Sequence, residues 1–235
     1  MSYERLRTAC LEWDQIQSAR MRMGNLVKAY ERGKRFVSFP LEDVLEKLKT
    51  AEAGYEAAIN MVIKTTDEPW LQRVREFEKQ TFGVGKGIYR IVGLLPPISN
   101  FPNPAKLWKY CGLHVFDGQS VRRPTCGPIC RVQGCRHDRF SPKMRSYVIA
   151  RLVEPIIQVG GPYRVLYDAR KLHTMTVHPE WGTENAKAPK GHYDKDARRY
   201  VAKRILRDLW RAAQGSQCAI DTPILSASTG SLVTV

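Results

Sequence analysis

The chain has 235 residues, of which 43% are hydrophobic, and a formal net charge of +15 at pH 7. This length accommodates one domain of ~100–200 residues plus an appendage, and the hydrophobic content suffices for a packed core, which excludes a disordered protein. No stretch approaches the ~20 apolar residues of a membrane span, and the first residues carry charges where a signal peptide is apolar. We therefore expect a cytoplasmic protein without a membrane partner, whose cysteines are reduced or bound to metal.

Residues 1–67 are predicted to form a helical hairpin. Apolar residues recur at alternating intervals of three and four over 9–30 and again over 41–62, which is the spacing of a coiled coil. The two segments have the same length, so they can pair antiparallel within one chain or pack against another copy. The pattern is therefore also compatible with a homo-oligomer formed through residues 9–62. The ionisable residues of this arm are expected on its solvated faces, so we assign it to assembly or spacing.

The next stretch is predicted to contain a helix-hairpin-helix. A helix from about Pro69 to Lys79 leads to a Gly-Val-Gly turn, and apolar residues at helical spacing follow it. Two glycines around one apolar residue permit a tight turn, and the first N–H groups of the following helix can bind an anion. Such a motif holds a DNA phosphate through backbone amides, and the alternative is a turn that binds no ligand. The predicted DNA contacts here are Gly83, Val84, Gly85, Lys86 and Arg90.

The cysteine-rich loop that follows has the donor set of a structural zinc site. Three thiolates and one imidazole within twelve residues can close a tetrahedral site, and the spacing C-x3-C-x4-C-x-H differs from the common zinc templates. The alternative is a reduced loop without metal. The predicted ligands are Cys126, Cys130, Cys135 and His137.

The positive charge of the chain is concentrated around this loop and in the last helix. Residues 68–215 contain 27 Lys and Arg against 12 Asp and Glu, whereas residues 1–67 contain 11 against 10. Such a density of positive charge favours a polyanion, so we predict non-sequence-specific binding of nucleic acid, duplex DNA in the first place and RNA as an alternative. The further predicted contacts are Arg122, Arg123, Arg131, Arg136, Arg139, Lys143, Arg145, Arg199 and Lys203.

The C-terminal half is predicted to be helical, which makes the protein all-α with at most a short ribbon in the loop. Ser141 caps a helix that Pro155 ends, and a second helix covers about 161–173. The segment 174–190 shows no clear structure, and the last helix starts near Gly191. Residues 68–215 thus form one compact helical domain, and residues 216–235, which lack Lys and Arg, are predicted to be a disordered tail.

Three features in this order resemble one protein family: the Gly-x-Gly turn at 83–85, the loop S-N-F-P-N-P at 99–104 and the helix ending K-Y-C-G-L at 109–113. They resemble the C-terminal domain of the DEDD-type insertion-sequence transposases, the group associated with a bridge RNA. The similarity covers about residues 68–214, and the arm stands where that family has a coiled coil. It implies an all-helical, nucleoid-associated protein that acts in DNA transposition or recombination.

The resemblance also implies which chemistry is missing. Family members begin with a RuvC-like domain whose acidic residues bind magnesium, and no part of this sequence resembles that domain. The second catalytic element of the family is a serine shortly after the G-L pair, a position that matches Ser120, although Val121-Arg122-Arg123 replace the glycines that follow it in the family. The main hypothesis is therefore a DNA-binding protein that needs a partner recombinase chain for strand transfer. The alternatives are a serine-dependent recombinase using Ser120 and a structural assembly protein.

Overall fold

The computed structural model describes residues 2–33, 40–81, 86–116, 119–120, 140–182 and 189–216. Within these residues the protein is all-α, as the sequence predicts. The helices are α1 Ser2–Glu31, α2 Leu41–Thr65, α3 Pro69–Thr81, α4 Lys86–Leu94, α5 Pro104–Tyr110, α6 Pro142–Tyr147, α7 Glu154–Val159, α8 Pro162–Val177 and α9 Pro189–Gln214, with a π-helical segment Val148–Val153 and 3₁₀ turns Ile98–Asn100 and Pro179–Gly182. The strands β1 Val115–Phe116 and β2 Gln119–Ser120 form an antiparallel ribbon. None of the helices described is long and apolar enough to cross a membrane.

Helices α1 and α2 pair antiparallel within one chain. At the base of the hairpin, Ser2 Oγ donates a hydrogen bond to Asp67 at 2.5 Å. Farther out, Gln17 Nε2 donates to Glu52 at 3.1 Å, and Arg20 forms an ion pair with the same carboxylate. Because α1 residues of increasing number meet α2 residues of decreasing number, the coiled-coil spacing is used inside the chain. The homo-oligomer stays a prediction.

The base of the hairpin belongs to the main hydrophobic core. Leu6 and Trp13 of α1 are fully buried in the same apolar cluster as the inner faces of α4 and α9. Helices α1 and α4 approach closely at Gly93, where an added Cβ would lie 2.4 Å from the sulfur of Cys10. A domain boundary at residue 67 would therefore divide one continuous core.

The expectation that the ionisable residues of the arm face solvent is wrong for Asp14, which is 2% exposed. It follows the buried Trp13, and the helix turns its carboxylate toward α6 and the π-helical segment. There Lys143 and Arg151 approach it with their positive groups. The seam pattern could not predict this burial, because the two cations come from a part of the chain far away in sequence.

The helix that Ser141 caps does not end at Pro155, contrary to the prediction. Helix α6 continues through the π-helical segment into α7, which contains Pro155 in its first turn. In a regular α-helix the proline ring would clash with the carbonyl group of Arg151, four residues earlier, and the wider π turn relieves that contact. This carbonyl group faces α4 at Gly87, where an added Cβ would lie 3.2 Å from its oxygen.

The last two helices are longer than predicted. Helix α8 extends to Val177 and the second 3₁₀ turn follows it, so that much of the segment 174–190 is ordered helix. Gly160 and Gly161 have φ values of 96° and 80°, and this left-handed backbone, which favours glycine, turns the chain between α7 and α8. Helix α9 begins at Pro189, two residues before the predicted start. Its fully buried core side includes Val201, Ile205, Leu206 and Leu209, as the spacing predicts.

Candidate functional site

A broad groove of about 1050 Å³ is bounded by α6, the π-helical segment, α8 and α9 and reaches the turn after α8. Apolar and aromatic side chains, among them Ile149 and Tyr200, form part of its lining. We call it the basic groove, because six of its fifteen lining residues are Lys or Arg and two are acidic. The basic residues are Arg145, Arg170, Lys195, Arg198, Arg199 and Lys203.

Both carboxylates of the basic groove are already engaged in ion pairs. Asp194 Oδ2 lies 2.9 Å from Arg198 Nε, one turn away on α9. Asp196 accepts a hydrogen bond from Arg170 Nε of α8 at 2.6 Å. Burial disfavours the charge of Asp196, but the hydrogen bond and charge of Arg170, with contributions from Thr174 and Arg199, outweigh it and lower the pKa of this carboxyl group. The two acids therefore form their ion pairs with Arg170 and Arg198, and the negative charge of Asp196 also acts on Arg199 and Lys203.

Arg199 and Lys203 lie one turn apart on α9, and no carboxylate of the described residues forms an ion pair with either. Burial lowers the pKa of Arg199, and the positive charge of Arg145 lowers it further. Burial also lowers the pKa of Lys203, and the charge of Arg199 acts in the same direction. Desolvated cations that repel one another are costly to the fold, and an arriving anion would relieve that cost.

Two other predicted DNA contacts, Arg90 and Lys143, face the arm. The guanidinium carbon of Arg90 lies 3.9 Å from the ring centroid of Trp13, and Arg90 also forms an ion pair with Glu56 of α2. The amine of Lys143 lies 2.7 Å from a carboxylate oxygen of Asp14. These two cations therefore have anionic partners within the described part of the protein, unlike Arg199 and Lys203.

The remaining predicted site residues lie wholly or partly outside the described residues. For Lys86, the first residue of α4, and Ser120, the last residue of β2, only the backbone is described. Ser120 pairs with Val115 in the ribbon, and Val115 lines the basic groove, so the backbone of Ser120 lies beside the rim of the groove. The residues outside the description are Gly83, Val84, Gly85, Arg122, Arg123, Cys126, Cys130, Arg131, Cys135, Arg136, His137 and Arg139.

Among the residues that line the groove and were not predicted as contacts from the sequence are Arg170, Trp181, His192 and Lys195. Arg170 and Lys195 do not belong to an obvious basic run, and their proximity depends on how α8 packs on α9. Trp181 lies in the segment to which no structure was assigned. A tryptophan between two histidines, at 178 and 192, was the available signal, because large aromatic residues in a polar connection are usually held by tertiary contacts.

The zinc site stays a prediction. Within the described residues, no group of three or more His, Cys, Asp or Glu side chains could hold a metal ion. Cys10 and Cys111 are buried free thiols, and burial raises the pKa of each to about 12, which disfavours the thiolate that binds metal. The other four cysteines, Cys126, Cys130, Cys135 and Cys218, lie outside the described residues, as does His137.

We expect protein purified without chelators to contain about one zinc per chain, because four protein ligands fill the tetrahedral coordination of the ion and make a stable structural site. Metal analysis by mass spectrometry measures this content. Cys126→Ser or Cys135→Ser should lose the metal, and Cys218→Ser, outside the cluster, should keep it. Metal-free protein whose loop cysteines all react freely with a thiol reagent would contradict the prediction.

Comparisons of this chain with protein-family models, with curated proteins and with solved structures found no match.

Proposed function

We propose that the protein binds the phosphate backbone of nucleic acid, DNA in the first place, in the basic groove. The observation that carries the proposal is the clustering of Arg145, Arg199 and Lys203 in a groove whose two acids form ion pairs with Arg170 and Arg198. Besides burial, the positive charge of Arg145 lowers the pKa of Arg199, and that of Arg199 lowers the pKa of Lys203. Backbone contacts of this kind fix the position of a nucleic acid and do not read its sequence. The overall charge of +15 would add long-range attraction.

The resemblance to the C-terminal domain of insertion-sequence transposases suggests which biological process uses this binding. We propose that the chain acts in DNA transposition or recombination together with a partner chain that supplies the magnesium-binding carboxylates. Two-metal phosphoryl transfer needs several carboxylates around the ions, and the groove's two acids are each held by an arginine. The basic groove would then position DNA for chemistry performed by the partner.

The first test is the salt dependence of binding to a random-sequence duplex, measured by fluorescence anisotropy. Four basic residues line the groove besides Arg170 and Arg198. With about four phosphate contacts, affinity should fall about a hundredfold between about 50 and 200 mM salt. Unrelated duplexes of equal length should bind alike. Affinity that hardly changes with salt, or that depends strongly on sequence, would refute backbone binding.

A serine-dependent recombinase is the second candidate, because β2 brings the backbone of Ser120 to the rim of the basic groove. We nevertheless expect the isolated protein to bind supercoiled DNA with magnesium without nicking it or becoming attached to it. The two acids of the groove are each held by an arginine, and strand cleavage with magnesium needs carboxylates that can bind the ions. Denaturing gels of protein–DNA mixtures test this. A covalent adduct that disappears in Ser120→Ala would establish the recombinase instead.

A further inference from the structure

One end of the basic groove is aromatic. The rings of Trp181 and His178 are stacked, with centroids 4.3 Å apart and planes inclined by 7°. His192 lies on α9 with its ring centroid 5.5 Å from that of Trp181. Trp181 and His192 both line the groove, and the side chain of His192 is exposed. The groove therefore combines cations with an aromatic surface.

This aromatic end is held in place by hydrogen bonds from a buried tyrosine, Tyr193. Tyr193 is 5% exposed, and its hydroxyl group donates to the carbonyl oxygen of His178 at 2.9 Å. The turn that contains Trp181 packs directly on the same side chain, since a Cβ added to Gly182 would lie 2.9 Å from Tyr193 Oη. Trp181 is thus positioned before any ligand arrives, which lowers the entropic cost of stacking on it.

A row of side chains continues from this end along one face of α9. His192 and the cations Lys195, Arg199 and Lys203 follow one another at intervals of three and four residues, and all four line the groove. At 1.5 Å per residue this row is on the order of 16 Å long, enough for a few nucleotides of one strand. Duplex DNA presents phosphates to such a row, but its base faces are stacked on each other and cannot contact an aromatic ring.

From this combination we infer that the ligand of the basic groove is single-stranded nucleic acid, with an unpaired base on the Trp181–His192 end and the adjoining phosphates on Arg199 and Lys203. The inference rests on the proposed function and specifies its substrate class. Cationic grooves with aromatic side chains bind single strands in this way, because every base has a π face while the phosphates supply the affinity. The duplex expected from the sequence would then be the weaker ligand, bound through phosphates alone.

The test uses fluorescence anisotropy with a labelled thymidine oligomer of about ten nucleotides, an abasic oligomer with the same number of phosphates, and a duplex of equal length. The wild-type protein should bind the thymidine oligomer about tenfold more tightly than the abasic one, which is within the range of one base–aromatic stack. Trp181→Ala should remove this difference while the abasic and duplex affinities stay unchanged, and Trp181→Phe should restore most of it. Uridine and deoxyuridine oligomers, which differ only in the 2′-hydroxyl group, are tested in parallel to identify the sugar, and base dependence with any of these polymers supports the inference.

Tyr30→Ala is the matched control, because it removes an exposed aromatic ring from the arm, outside the groove. If Trp181→Ala loses helical circular dichroism, the abasic comparison on the wild type and the exposed His192→Ala variant test the same point. Equal wild-type affinity for the thymidine and abasic oligomers, both with steep salt dependence, would overturn the single-strand inference and leave the proposed function standing. Absence of binding to all oligomers would overturn both.

Discussion

Replacing Arg199 and Lys203 together by glutamine should lower the affinity for nucleic acid about a hundredfold at low salt. Hydrogen bonds to charged groups contribute about 1.5–3 kcal/mol each, and the lower value for two contacts amounts to about 3 kcal/mol. The salt slope should fall by about two, because two fewer counterions are released on binding. Anisotropy titrations of the double variant at several salt concentrations measure both quantities.

The matched control is the Arg22→Gln, Lys28→Gln double variant, which removes the same charge from exposed positions of α1 that do not line the groove. It should change affinity only through the weak long-range field. If both double variants weaken binding equally, the net charge of the protein and not the basic groove is responsible, and the site assignment fails.

The Arg199→Gln, Lys203→Gln double variant should fold at least as stably as the wild type. The lowered pKa values of Arg199 and Lys203 mean that the folded protein disfavours their charged forms, so removing those charges does not weaken the fold. Lost affinity with unchanged or raised thermal stability is the pattern of residues that serve a ligand. Lost affinity with a large fall in stability would indicate a structural role instead.

Sequence patterns predict the elements of this fold better than their connections. The apolar spacing of Ile88, Ile91 and Val92 predicts a buried face for α4, and all three are buried, because helical periodicity reports burial directly. Pro155 is different, since its effect depends on whether the preceding turn can widen. The sequence predicts the local preference of a proline, and only the packing of α4 against this segment shows how the helix accommodates it.

The sequence predicts that basic residues make up the candidate site, and it does not predict which of them lie together in one groove. The basic row of α9 includes Arg199 and Lys203, and the structure puts both in one groove with Arg145. The same row contains Arg207, which pairs with the fully buried Asp208. Whether a basic residue is compensated depends on acids brought near by tertiary packing, and neither charge counting nor helical spacing reports these.

Asp14→Ala should destabilise the fold by about 3 kcal/mol. Tyr147 and Arg151 donate hydrogen bonds to this carboxylate, and Lys143 forms an ion pair with it at 2.7 Å. Removing one member of a buried ion pair costs about 3–5 kcal/mol, and the lower value applies because Lys143 and Arg151 are 60% and 25% exposed and regain water. Denaturant unfolding followed by circular dichroism should show a lower midpoint with an unchanged m-value.

The pH dependence of this difference identifies the carboxylate as its source. Burial opposes the charge of Asp14 and is the largest single influence, but the hydrogen bonds from Lys143, Tyr147 and Arg151 together outweigh it and lower the pKa of Asp14. A lowered folded-state pKa gives stability that is fully present above the unfolded value of about 3.9 and is lost as pH falls through the folded value. The difference in the free energy of unfolding between wild type and Asp14→Ala should therefore be constant from about pH 5 to 7 and should become smaller below about pH 4. Asp168→Ala, which breaks an exposed pair with Arg164 on α8, should cost at most about 0.5 kcal/mol. A similar cost for both variants, or a gap that widens in acid, would show that the network around Asp14 does not hold the arm to the core.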